Sequence, residues 1–171
     1  MKKIKLSIFA LGILLLMGQS AFALTCSPSR EAQGSTDQCW ASVTVASNET
    51  TLVSAGTVLN FDITNAQFNE KNGSFQVRVT DASADGVTIA GVAQNSIASG
   101  ATALVLVRGR GDVALKTTEA FASGSALWVS TSGDASGVVS STTQTQLGFS
   151  LETTTASGNT RTTKKAYITI V

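Results

Sequence analysis

From Trp40 to the end of the chain, apolar side chains recur at every second position in short runs, broken by glycine and small polar residues. Alternation at period two places successive side chains on opposite faces of an extended strand. Ser74–Thr80 (SFQVRVT) shows it most cleanly, with Phe75, Val77 and Val79 on one face and Gln76 and Arg78 on the other. In Trp40–Val45, Val43 and Val45 share a face. In Thr57–Ile63, Leu59, Phe61 and Ile63 oppose Asn60 and Asp62. Further short apolar runs are Val87–Ala93, Ala103–Val107, Val113–Lys116, Ala126–Ser130, Gln146–Leu151 and Ala166–Val171. Asn72-Gly73 is a strong turn signal between two of these strands. Threonine and valine are abundant and suit a pleated surface. No stretch carries the apolar stripe of a helix. The pattern predicts an all-β chain of roughly eight to ten short strands, folded as a small β-barrel or sandwich.

One short pattern occurs twice. Ile97-Ala98-Ser99-Gly100 is echoed 24 residues later by Phe121-Ala122-Ser123-Gly124, and a strand-like apolar run follows each. Such an echo arises by chance in a chain rich in Ala, Ser and Gly, or it marks two similar turn-to-strand units side by side.

The first 23 residues follow another logic. Lys2, Lys3 and Lys5 precede an apolar run from Leu6 to Met17, and Ala21 and Ala23 stand at the −3 and −1 positions of a cleavage site. This is the layout of a secretory signal peptide. The apolar run is short against the ~20 residues of a bilayer-spanning helix. Cys26 follows Thr25, which does not suit lipid attachment. The expected organisation is a signal peptide at 1–23, a Cys-bounded N-terminal loop at 24–39 and a single β-rich domain at 40–171. The expected location is secreted, periplasmic or cell-surface, with no membrane span after cleavage.

Without the leader, nine basic and eleven acidic residues remain, a net charge near −2. The basic residues are scattered and make no footprint for a phosphate backbone, so nucleic acid is not an expected partner. Cys26 and Cys39 are the only cysteines, and an oxidising compartment favours a disulfide between them. Closing a loop of this length stabilises a fold by roughly 3 kcal/mol.

Catalytic equipment is sparse. The chain has no histidine, which excludes Ser-His-Asp and Cys-His constellations. Two thiols without histidine do not complete a zinc site. The carboxylates Asp62, Glu70, Asp81, Asp85, Asp112, Glu119, Asp134 and Glu152 lie mostly in turn-like settings, and no run matches a calcium loop. The expectation is no enzyme, no cofactor and no metal. Arg110-Gly111-Asp112 reads as a charged hairpin tip between two strands, and Trp40 and Trp128 read as core residues. Thr153–Lys165 is polar and reads as an exposed loop. The apolar strand after it, Tyr167, Ile168, Thr169, Ile170 and Val171, either closes the domain's own sheet or pairs with another subunit as an assembly strand.

The stretch Gly86–Leu151 combines the two turns at Ile97–Gly100 and Phe121–Gly124 with a strand running into Gly109–Val113. It continues with the short strand Leu127-Trp128-Val129, a hairpin marked by Ser132-Gly133-Asp134, and Leu147-Gly148-Phe149-Ser150-Leu151. It resembles the capsid decoration (head cement) proteins of tailed phages. The resemblance implies a β-barrel-like core, a place on the outside of a capsid, and self-association as trimers or larger, or attachment to a host protein lattice. Such proteins assemble in the cytoplasm without a leader, so residues 1–23 depart from the pattern. Fold and chemistry together lead to the expectation of an exported, non-enzymatic structural subunit of a surface or extracellular assembly. The alternative is a secreted adhesin-like or carbohydrate-binding module.

Overall fold

A computed structural model describes residues 25–27, 38–50, 52–62, 74–80, 88–116, 118–130, 133–137, 145–155 and 161–170. The expected leader, most of the expected loop between the cysteines, the Asn72-Gly73 turn signal and Val171 lie outside them. The described chain is all-β. Its strands are β1 (Thr25–Ser27), β2 (Gln38–Val45), β3 (Val58–Phe61), β4 (Phe75–Val79), β5 (Ile89–Ala93), β6 (Thr102–Leu115), β7 (Ala126–Val129), β8 (Ala135–Ser136), β9 (Gln146–Ser150) and β10 (Thr162–Thr169).

The strands close two rings that share β6. One runs β2-β4-β3-β5-β6 and returns to β2; the other runs β6-β10-β9-β7-β8 and returns to β6. Each ring has five strands. Strand direction cannot alternate around an odd ring, so each needs a parallel junction. The first has it at β2–β4 and the second at β6–β8, while every other ladder is antiparallel. Closure pairs strand edges that would otherwise attract other chains. The expectation of a small barrel is met by two small barrels fused along one strand.

Each ring has its own core. Val43, Val45, Leu59, Val77, Ala93 and Val105 fill the first. Val113, Leu115, Leu127, Leu147 and Ile168 fill the second, joined by Val58, Ile89, Val92 and Leu106 from the outer side of the first. The wall of β3 and β5 thus separates two cores, which is why all five residues of β5 are buried. That is the reason its sequence, Ile-Ala-Gly-Val-Ala, is apolar without alternation. A register shift between Leu127 and Trp128 in the β7–β9 ladder leaves Leu147 as an extra residue, and its side chain enters the second core.

Strand β6 corrects the sequence reading. Ala103–Val107 and Val113–Leu115 are parts of one strand of 14 residues, which ends one residue before Lys116, and Arg108-Gly109-Arg110-Gly111 is its middle rather than a hairpin tip. The glycines let it curl. A Cβ on Gly111 would lie 2.4 Å from Leu106 Cδ2, five positions back along the same strand. In a straight strand those positions are roughly 16 Å apart. The polar stretch read as an exposed loop also ends early, since β10 starts at Thr162 and pairs with β6 from its first residue.

The repeated tetrapeptide is a repeated structure. Gly100 N donates to Val45 O (3.0 Å) and Val45 N to Ala101 O (3.0 Å); Gly124 N donates to Ser150 O and Ser150 N to Ser125 O, both 2.8 Å. Ser99 Oγ reaches Ala46 O (3.1 Å), as Ser123 Oγ reaches Leu151 O (3.0 Å). Ile97 bridges Val53, and Phe121 bridges Thr154. Each turn opens a strand, β6 or β7, and clasps the last residue of that strand's neighbour, β2 or β9.

Candidate functional site

Register places chemistry-bearing residues on the outer face of the second ring. Directly opposed residues of antiparallel strands share a face. Arg110 of β6 opposes Tyr167 of β10, Tyr167 opposes Phe149 of β9, and Phe149 opposes Ala126 of β7. The row one step toward the first ring sets Arg108 against Thr169, and the row on the other side sets Asp112 against Lys165. Intervening residues point inward: Ala166 and Ile168 are buried in the second core.

On this face Phe149 and Tyr167 stack, with ring centroids 5.2 Å apart and planes 15° from parallel. Phe149 keeps 39% of its surface exposed, which places it among the few large apolar side chains left in solvent. Lys165 Nζ pairs with Asp112 Oδ1 at 2.7 Å. Asp112 of the Arg-Gly-Asp triplet is therefore engaged within the sheet, and Arg110 is exposed beside the aromatic pair. Trp128 is also on this side of β7. It is half-buried and outward, opposite Gln146 and Ser136, whereas Trp40 packs against the second core as expected.

Ion pairing leaves a pattern of charge. Each described carboxylate has a partner. Glu49 accepts from Val79 N (3.0 Å), Asp62 faces Arg78 (3.9 Å), and Glu119 accepts from Ser136 Oγ (2.6 Å) and Gly137 N (3.0 Å). Asp134 holds Arg161 (2.7 Å), and Glu152 faces Lys164 (3.8 Å). Among the described residues, Arg108, Arg110 and Lys116 form no ion pair. No group of three or more metal-ligating side chains occurs among the described residues. No helix long and apolar enough to cross a membrane occurs among the described residues.

Cys26 of β1 and Cys39 of β2 are directly opposed in register. Tyr167, Ile168 and Thr169 are within β10, whose ladder partners are β6 on one side and β9 on the other, and Ile170 N donates to Val107 O (3.2 Å). The backbone of the candidate assembly strand is thus paired inside its own chain over these residues. The arginine–aromatic face has no sequence motif, because its members come from positions 110, 149 and 167 on three strands. The only local sign of it was the pair Arg108 and Arg110 at strand spacing.

A family model described as phage cement protein matches residues 38–165, from the first residue of β2 into β10 and so across both rings. Among solved structures, the N base of head fiber gp8.5 in bacteriophage phi29 is similar at 13% identity, with a TM-score of 0.49, over 77% of this chain and 94% of that one. No curated protein matches the sequence.

Proposed function

The chain belongs to the phage cement protein family, and on that premise we propose that it is a non-enzymatic structural subunit that adds to the outside of a protein lattice. The observation that carries this reading is the extent of the family match, which takes in both rings and the strand they share. Two fused barrels with paired edges suit a subunit that must bind a surface without recruiting further strands. The leader adds a second element to the proposal. Residues 1–23 direct export, and the subunit serves an assembly at the cell surface or outside the cell, self-associated or attached to a host lattice. In that oxidising setting the cysteines opposed on β1 and β2 form a disulfide that ties the N-terminal segment to the first ring.

Tailed-phage capsids prepared without their own cement protein, and cell-surface lattices prepared without this chain, provide the test. Purified protein should co-sediment with them to a saturating copy number and appear as added density on the outer surface. Failure to bind at any concentration overturns the decoration reading. Export is tested separately by N-terminal sequencing of protein recovered outside the cytoplasm, which should begin at Leu24. Retention in the cytoplasm with Met1 intact overturns it.

A further inference from the structure

We propose that the outer face of β6, β10 and β9 docks an extended acidic segment of the lattice protein that this chain decorates. Arg108 and Arg110 would take its carboxylates, and the Phe149–Tyr167 stack its apolar side chains. This inference rests on the decoration reading and names the partner's chemistry.

Three observations lead to it. The first is charge. Every described carboxylate is engaged within the chain, while Arg108 and Arg110 are exposed on one face without an ion pair among the described residues. Among the described residues a second copy offers the same two arginines and the same engaged carboxylates, so we place the complementary surface on another protein. The second is spacing. Arg108 and Arg110 are two positions apart on β6 and oppose Thr169 and Tyr167 of β10 in an unbroken ladder, so they stand on one face. Alternate residues of an extended partner also share a face, so carboxylates at every second position would face both guanidinium groups. Arginine suits this role because its planar fork takes a carboxylate through two hydrogen bonds. The third is composition. Arginine, tyrosine and phenylalanine together are the residue types that concentrate in protein interfaces. Here the rings are already stacked on one another, so ordering them on binding costs little side-chain freedom.

The test uses the purified protein and a fluorescent, end-blocked ten-residue peptide of alternating Glu and Ser, with the corresponding Lys–Ser peptide and a ten-base oligonucleotide as comparisons. The Glu–Ser peptide should bind in preference to both, and more weakly as salt rises. The double variant Arg108→Ala/Arg110→Ala should bind it at least tenfold more weakly, the Arg→Lys pair should retain part of the affinity, and Lys116→Ala should leave it unchanged. All three alter exposed side chains and should keep the wild-type thermal transition. Absence of binding, equal binding by the double variant, an equal loss in Lys116→Ala, or tighter binding of the oligonucleotide each overturns the proposal. So does an oligomer of the wild type that the double variant dissociates, because the face is then a contact between copies. Unimpaired capsid binding by the double variant overturns this docking face and leaves the decoration reading standing. Absence of capsid binding by the wild type overturns the decoration reading itself.

Discussion

Gly100 and Gly124 hold the same place in two turns, with φ of +74° and +88°. At such angles an added Cβ crowds the following carbonyl and costs about 1–2 kcal/mol. Among the described residues nothing beyond the chain neighbours lies within 4 Å of a Cβ at Gly124, and at Gly100 the nearest atom is 4.0 Å away, so backbone strain is the effect to expect. Gly100→Ala and Gly124→Ala should each lower the unfolding free energy by about 1 kcal/mol in urea titrations, and by similar amounts. A large loss at one site and none at the other would show that the two turns do not carry equal structural weight. Cys26 and Cys39 provide a second residue-scale expectation. Thiol titration of the protein folded under oxidising conditions should find no free thiol before reduction, and reduction should cost roughly 3 kcal/mol. Arg161 reaches three groups at once: Asp134 Oδ1 (2.7 Å), Ser54 Oγ (2.6 Å) and Thr57 Oγ1 (2.7 Å). It joins the start of β10 to the segment before β3 and to the segment before β8. Because the guanidinium is partly in water, Arg161→Ala should cost only about 1 kcal/mol, read as a shift of the urea midpoint at constant slope.

Strand β6 shows what could and could not be read along the chain. Strands such as Phe75–Val79 were legible because one face is buried and the other is not, so polarity alternates with the pleat. β6 was not, because its environment changes along its length. Its first half lines the first ring, and Leu106 then points across to the second core. Its two glycines look like turn punctuation, yet they serve a bend inside a continuous strand. β8 escaped notice because two residues show no periodicity. The candidate face escaped because the rows that build it follow from pairing between strands, and local alternation does not specify which strands pair. The bend itself is testable. Gly111→Val would force a side chain against Leu106, which is fully buried, and against Gln94, whose amide is bound to the backbone of Asp112. Overpacking of this kind typically costs 1–3 kcal/mol, roughly a shift of several degrees in a thermal melt.

At the scale of the whole molecule, the question is whether the two rings are one cooperative unit. They share β6, and the second core is completed by Val58, Ile89, Val92 and Leu106 from the first ring. Opening the first ring alone would strip those four apolar side chains from the second core. Each fully buried side chain of this kind contributes about 1.5–3 kcal/mol, so the second ring would lose most of a typical domain's net stability of 5–15 kcal/mol. The rings should therefore open together. Native-state amide exchange at Val43 and Val77 in the first ring should give the same opening free energy as exchange at Leu127 and Ile168 in the second. Leu106→Ala, placed at the joint, should lower all four values by the same amount, about 2–5 kcal/mol. Two separate opening energies, with Leu106→Ala lowering only one, would show two independent barrels. If the subunit docks on a lattice through the outer face of its second ring, as proposed, a single cooperative unit means that load applied to either ring is resisted by the stability of both.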